Sequence, residues 1–141
     1  MENSDNTEED INRLTYLQAV YTQQYELISN EIATYSLAQE TLLRNKDLLE
    51  NAKGIEDSNV LMNSGNIFFE AKTGKMDKVL VYVGAGYVLE KTAEEAKKFV
   101  DERSKETAEI LEKLVKERSK IEQTLVEINY SLSALQSKAQ Q

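Results

Sequence analysis

The chain has 141 residues, enough for one ordinary domain, with 40% apolar and 30% charged residues, 5 Gly and no Pro. Such a composition favours long uninterrupted helices over a compact, loop-rich globule. Its 17 Lys and Arg against 25 Asp and Glu give a net charge of −8, which excludes the basic surface that nucleic-acid phosphates require. There is no His and no Cys, so the commonest acid–base group, the thiol nucleophile and the usual transition-metal ligands are missing. No catalytic residue, metal site or cofactor is expected, and an enzyme is the weakest hypothesis. No apolar run is long enough to span a membrane, and the opening Met1-Glu2-Asn3-Ser4-Asp5 lacks the regions of a signal peptide. A cytoplasmic protein is expected.

Residues 1–7 read as a polar, disordered leader. Thr7 and Asp10 have capping-box spacing, with acidic Glu8 and Glu9 between them, which suits a helix start. From there Ile11, Leu14, Gln18, Tyr21, Tyr25, Ile28, Ile32, Tyr35, Gln39, Leu42, Lys46 and Leu49 alternate by three and four. This is the narrow seam of a coiled coil. The spacing predicts a helix over 8–53, roughly 65–70 Å long, stopped by a left-handed C-cap at Gly54.

Residues 54–91 change period. Val60-Leu61-Met62, Ile67-Phe68-Phe69, Val79 to Val83 and Tyr87-Val88-Leu89 are short β-branched and aromatic runs. Ser64-Gly65-Asn66 and Gly84-Ala85-Gly86 separate them in pairs, as hairpin turns do. Gly84-x-Gly86 lacks the third glycine, the Lys-Ser/Thr and the following helix of a phosphate loop. The third run is apolar on both faces, and two small hairpins cannot cover both. A sheet or barrel shared with other subunits resolves this, because open edges invite pairing. The candidates for that oligomerisation surface are Val60, Met62, Ile67, Phe69, Val79, Val81, Val83 and Val88.

Thr92 and Glu95 again have capping-box spacing and open a second helix over 92–138, leaving 139–141 as a tail. Its seam runs through Val100, Ser104, Thr107, Leu111, Leu114, Arg118, Ile121, Leu125, Ile128, Leu132 and Leu135. The two seams align antiparallel: Leu14 falls opposite Leu132, Tyr25 opposite Ile121, Ile32 opposite Leu114, Gln39 opposite Thr107 and Ile28 opposite Arg118. A slip by one heptad fits the same spacing. The fold class is therefore α+β, a long antiparallel coiled-coil hairpin with two β-hairpins at its base. Beside the seam lie Leu17, Val20 and Leu27, with Val126 and Tyr130 on the second helix. On spacing this stripe fits a broadened seam, a contact for another subunit or an interaction site.

Helix, two hairpins and helix, with Val81-Tyr82-Val83-Gly84-Ala85-Gly86 in the second hairpin and Glu94-Glu95-Ala96 opening the second helix, resembles an alpha-class subunit of prefoldin, of the archaeal type. In the first hairpin, Met62-Asn63-Ser64-Gly65-Asn66 departs from the family's usual Pro-Val-Gly-type segment. The resemblance implies an ATP-independent holdase in which two alpha and four beta-class subunits join hairpins into a barrel. It further implies that arm tips capture unfolded client proteins and deliver them to a group II chaperonin. The client-binding surface it implies is formed by Ile11, Leu14, Leu17, Val20, Tyr130, Leu132 and Leu135. The competing readings are a structural homo-oligomer or filament-forming relative, and a coiled-coil scaffold for one partner.

Overall fold

The computed structural model describes residues 2–139, with side chains over 6–139. Helix α1 spans Glu2–Glu50, a 3-10 turn follows at Ala52–Ile55, and then come strands β1 (Asn59–Ser64), β2 (Ile67–Lys72), β3 (Lys78–Gly84) and β4 (Tyr87–Thr92). Helix α2 closes the chain over Ala93–Ala139. The class is α+β, as the periodicities predict. The chain divides into two compact units, one of residues up to 36 with those from 109 onward, the other of residues 37–108.

The helical unit is held by the expected seam. Ile11, Leu14, Gln18, Tyr21, Tyr25, Ile28, Ile32 and Tyr35 are all half-buried, and Ile121, Ile128 and Leu132 are buried. Full burial is confined to α2 here because two helices cover only a strip of one another. Two polar contacts fix direction and register: the Gln18 amide donates to Asn129 Oδ1 at 2.5 Å, and the Arg118 guanidinium lies 6.0 Å from the Tyr25 ring centre. Both lie within a helical turn of the expected antiparallel alignment, so a heptad slip is ruled out. The Arg118 guanidinium reaches the Tyr25 ring, since an aromatic face attracts a cation. Helix α1 also starts earlier than expected. Residues 2–7, read as a disordered leader, are helical, so Thr7 and Asp10 lie inside the helix and do not cap it. No Gly or Pro interrupts this stretch.

In the strand-bearing unit the ends of both helices share a groove with β3, and Ala52, Ala96 and Val100 are buried. Gln39 donates to Ser104 Oγ at 2.9 Å, one turn from the expected partner Thr107. The predicted stop at Gly54 is displaced: α1 ends at Glu50, where Asn51 folds back with both its backbone and side-chain N–H groups on the Asp47 carbonyl. Gly54 then sits within the 3-10 turn, and the left-handed residue is Asp57, with φ +49°. Thr73 ties this turn to the first hairpin. Its hydroxyl accepts the Ser58 N–H at 3.0 Å and lies against the carbonyls of Ile55 and Ser58. At the other helix start the capping box forms as read: Glu95 N–H donates to Thr92 Oγ1 at 3.2 Å, and Thr92 N–H to Glu95 Oε2 at 3.0 Å.

Lys46 and Asp101 pair at 2.9 Å across the same unit. The hydrogen bond from Lys46 holds the Asp101 carboxyl below its ordinary range, and the same bond raises the Lys46 ammonium. A depressed carboxylate stabilises the fold above its unfolded pKa and loses that contribution as pH falls through the folded one. A raised ammonium stabilises below its unfolded pKa and loses that contribution as pH climbs through the folded one. Asp101→Asn is therefore expected to flatten the acid limb of stability below about pH 4. Helix melting followed by circular dichroism across pH checks this, and identical acid limbs would dismiss the pair as a contributor.

Candidate assembly and capture surfaces

The two hairpins close by different turns. In the first, Ser64 faces Ile67 and Gly65 takes φ +70° at the leading turn position, the pattern of a type II′ turn. In the second, Gly84 faces Tyr87 and both Ala85 (φ +50°) and Gly86 (φ +81°) are left-handed, as type I′ requires. Gly84 itself stands at φ +108° beside a bulge after Tyr82. The glycines thus serve chain reversal. Each hairpin remains a separate two-stranded sheet, so all four strands keep an open edge.

Alternation then decides which side chains are left over. In β3, Val79, Val81 and Val83 point to the half-covered side. Val79 and Val81, with Leu42, Leu49, Phe99 and Val100, line an open groove of about 480 Å³. On the opposite face Leu80 is 75% exposed and Tyr82 64%, with Val88 directly across from Tyr82. In the first hairpin only Val60 and Ala71 are half-covered. Met62, Ile67 and Phe69 are exposed, and so are Leu61 and Phe68 on the other face. Of the eight residues expected in the oligomeric sheet, Met62, Ile67, Phe69 and Val88 are openly exposed; Val60, Val79, Val81 and Val83 are half-buried within this chain. Leu61, Phe68, Leu80, Tyr82, Tyr87 and Leu89, outside that set, are exposed as well. Each of them sits within one of the apolar runs, and spacing cannot say which face of a run is covered.

In the helical unit the seven expected client-binding residues separate into three kinds. Leu132 is 7% exposed and belongs to the seam, so it offers no surface. Ile11, Leu14 and Leu135 are half-buried seam residues, and Leu17 and Val20 are half-buried beside it. Tyr130 is 79% exposed. Exposed with it in this unit are Tyr16, Leu27, Val115 and Val126. The same apolar spacing that marks seam positions as sticky also covers them. Among the described residues no group of three or more His, Cys, Asp or Glu is placed to hold a metal ion, and no helix is long and apolar enough to cross a membrane.

Comparison with known proteins agrees with this architecture. The family description Prefoldin subunit fits residues 21–138. The chain is 33% identical over 101 residues to prefoldin subunit alpha of Methanocorpusculum labreanum, covering 70% of this chain and 69% of that one. Against prefoldin subunit alpha of Pyrococcus horikoshii the identity is 25% over 133 residues, covering 92% and 89%. The cryo-EM structure of a filamentous prefoldin from Methanocaldococcus jannaschii superposes with a TM-score of 0.56 at 29% identity, covering 90% of this chain and 98% of that one. Two long helices, two separate hairpins with unused edges, and a match over most of the chain lead to one assignment: this protein belongs to the prefoldin family, as an alpha-class subunit.

Proposed function

We propose that this chain is a subunit of an ATP-independent holdase, assembling through its hairpins and capturing unfolded proteins on its helical unit. Prefoldin-family proteins are chaperones that assemble with other prefoldin subunits. The observation that carries the finer reading is the apolar surface of the helical unit, where Tyr16, Leu27, Val126 and Tyr130 are all exposed. Large exposed apolar side chains grouped on one unit mark an interaction site. Capture proceeds by burying apolar client surface, at about 25 cal/mol per Å². No single contact need be strong, because several subunits gripping one client add avidity. Assembly with beta-class subunits as a hetero-hexamer of two alpha and four beta, delivery to a group II chaperonin and a cytoplasmic setting complete this reading.

A second reading is favoured by the likeness to a filamentous prefoldin: the same exposed hairpins would join copies of this chain into a filament. Native mass spectrometry of the chain alone, and then with a beta-class subunit, separates the two. The first reading expects a discrete hetero-oligomer that suppresses light scattering by an aggregating client. Open-ended homo-assembly without suppression would overturn it in favour of the filament.

A further inference from the structure

The charge pattern around Leu27, Val126 and Tyr130, three of the exposed apolar residues of the helical unit, is one-sided; exposed Val115, flanked by Lys113 and Lys116, lies outside this surface. Residues 14–43 contain no Lys or Arg, and neither do residues 121–137. Over the parts of these stretches that lie in the helical unit, residues 14–36 and 121–137, the charged residues are Glu26, Glu31, Glu122 and Glu127. The nearby Arg13 pairs with Asp10 at 3.3 Å. Helix spacing sets these carboxylates among the exposed apolar groups. Glu122, Val126 and Tyr130 follow at intervals of four, which puts them on one face, and Glu127 lies three residues from Tyr130. On α1, Glu31 lies four residues after Leu27 and Glu26 is its neighbour. All four carboxylates are exposed.

We infer that this surface selects, among unfolded segments, those that combine apolar side chains with Lys or Arg. The inference rests on the capture reading and specifies its substrate class. Neighbours three or four apart on a helix are about 5–6 Å apart, inside the screening length of about 8 Å at physiological salt. A cation on a bound segment therefore meets at least one carboxylate wherever its apolar neighbour docks on Leu27, Val126 or Tyr130. An anion meets the same field with the opposite sign. The exposed tyrosine rings add to the preference, because their faces attract guanidinium and ammonium groups and repel carboxylates. Discrimination thus comes as much from repulsion of acidic segments as from attraction of basic ones.

The test uses the full chain in its assembled form and two fluorescein-labelled unstructured peptides. Both carry the same Phe and Leu residues, one interspersed with Lys and the other with Glu. Fluorescence anisotropy at low salt is expected to show the Lys peptide binding roughly five- to tenfold tighter, with the gap closing in 1 M NaCl. Glu26→Gln, Glu31→Gln, Glu122→Gln and Glu127→Gln combined should cut the ratio to about twofold or less while the Lys peptide still binds. Equal affinity for both peptides in the unaltered protein would overturn the selectivity and leave capture standing. A ratio unmoved by the glutamine variant would overturn it too, since the discriminating charges would lie elsewhere. If neither peptide binds, the capture reading itself fails and takes this inference with it.

Discussion

Replacing Leu80 and Val88 with aspartate is expected to take the assembly apart while each chain keeps its helices. Both side chains lie on the uncovered face of the second hairpin, so charges there cost the isolated chain little. Within a shared sheet they would be buried without partners, at several kcal/mol for the pair. The burial of the two lost side chains, about 1.5–3 kcal/mol each, would be forfeited as well. Val81→Asp serves as a contrast, because Val81 is half-buried in the groove between β3 and the helix ends. That change should weaken folding of the strand-bearing unit before it touches assembly. Sedimentation velocity reads the oligomer and circular dichroism the helix content. An unchanged sedimentation coefficient in the Leu80→Asp, Val88→Asp protein would show that this face is not the interface.

The second large effect separates surface from seam in the helical unit. Val126→Ala with Tyr130→Ala removes two exposed apolar side chains, and alanine suits a helix, so stability should move by no more than about 0.5 kcal/mol. Client capture should fall by roughly threefold or more, since the lost apolar area lies where a client would bury it. Leu132→Ala should behave in the reverse way. Leu132 is buried, and truncating it removes a seam contact and leaves a cavity, at about 2–4 kcal/mol of stability. Its effect on capture should follow unfolding and vanish at temperatures where the variant is fully folded. Urea denaturation and aggregation suppression, measured on the same samples, give both readouts. A Leu132→Ala protein that is fully folded yet fails to capture would return that residue to the binding surface.

Much of this protein was legible from periodicity. All twelve α1 seam positions, from Ile11 to Leu49, are half-buried, and all eleven α2 positions from Val100 to Leu135 are half-buried or buried. The reason is local: a three–four repeat puts those residues on one strip of any helix they form, whatever they pack against. The hairpins were equally plain, because Gly65 and Gly86 stand at left-handed turn positions that glycine occupies without cost. The capping box of Thr92 and Glu95 is local for the same reason.

What spacing left open concerned which of two equivalent surfaces is covered. Strand β3 is apolar on both faces, and only the folded chain, which half-buries Val79 and Val81 and leaves Leu80 75% exposed, decides between them. Tyr130 and Leu132 are two residues apart and both read as sticky, yet one is 79% exposed and the other 7%, because their side chains leave the helix about 200° apart. The end of α1 was likewise a contest that the sequence could not arbitrate. Gly54 offered a stop, but Asn51 bonded back to Asp47 and ended the helix earlier, since an Asn side chain competes for backbone groups wherever geometry allows. Residue type and period settle which elements form and which of their positions are apolar. Which apolar face meets a neighbour and which is left for another chain is set by long-range packing, which no local pattern contains.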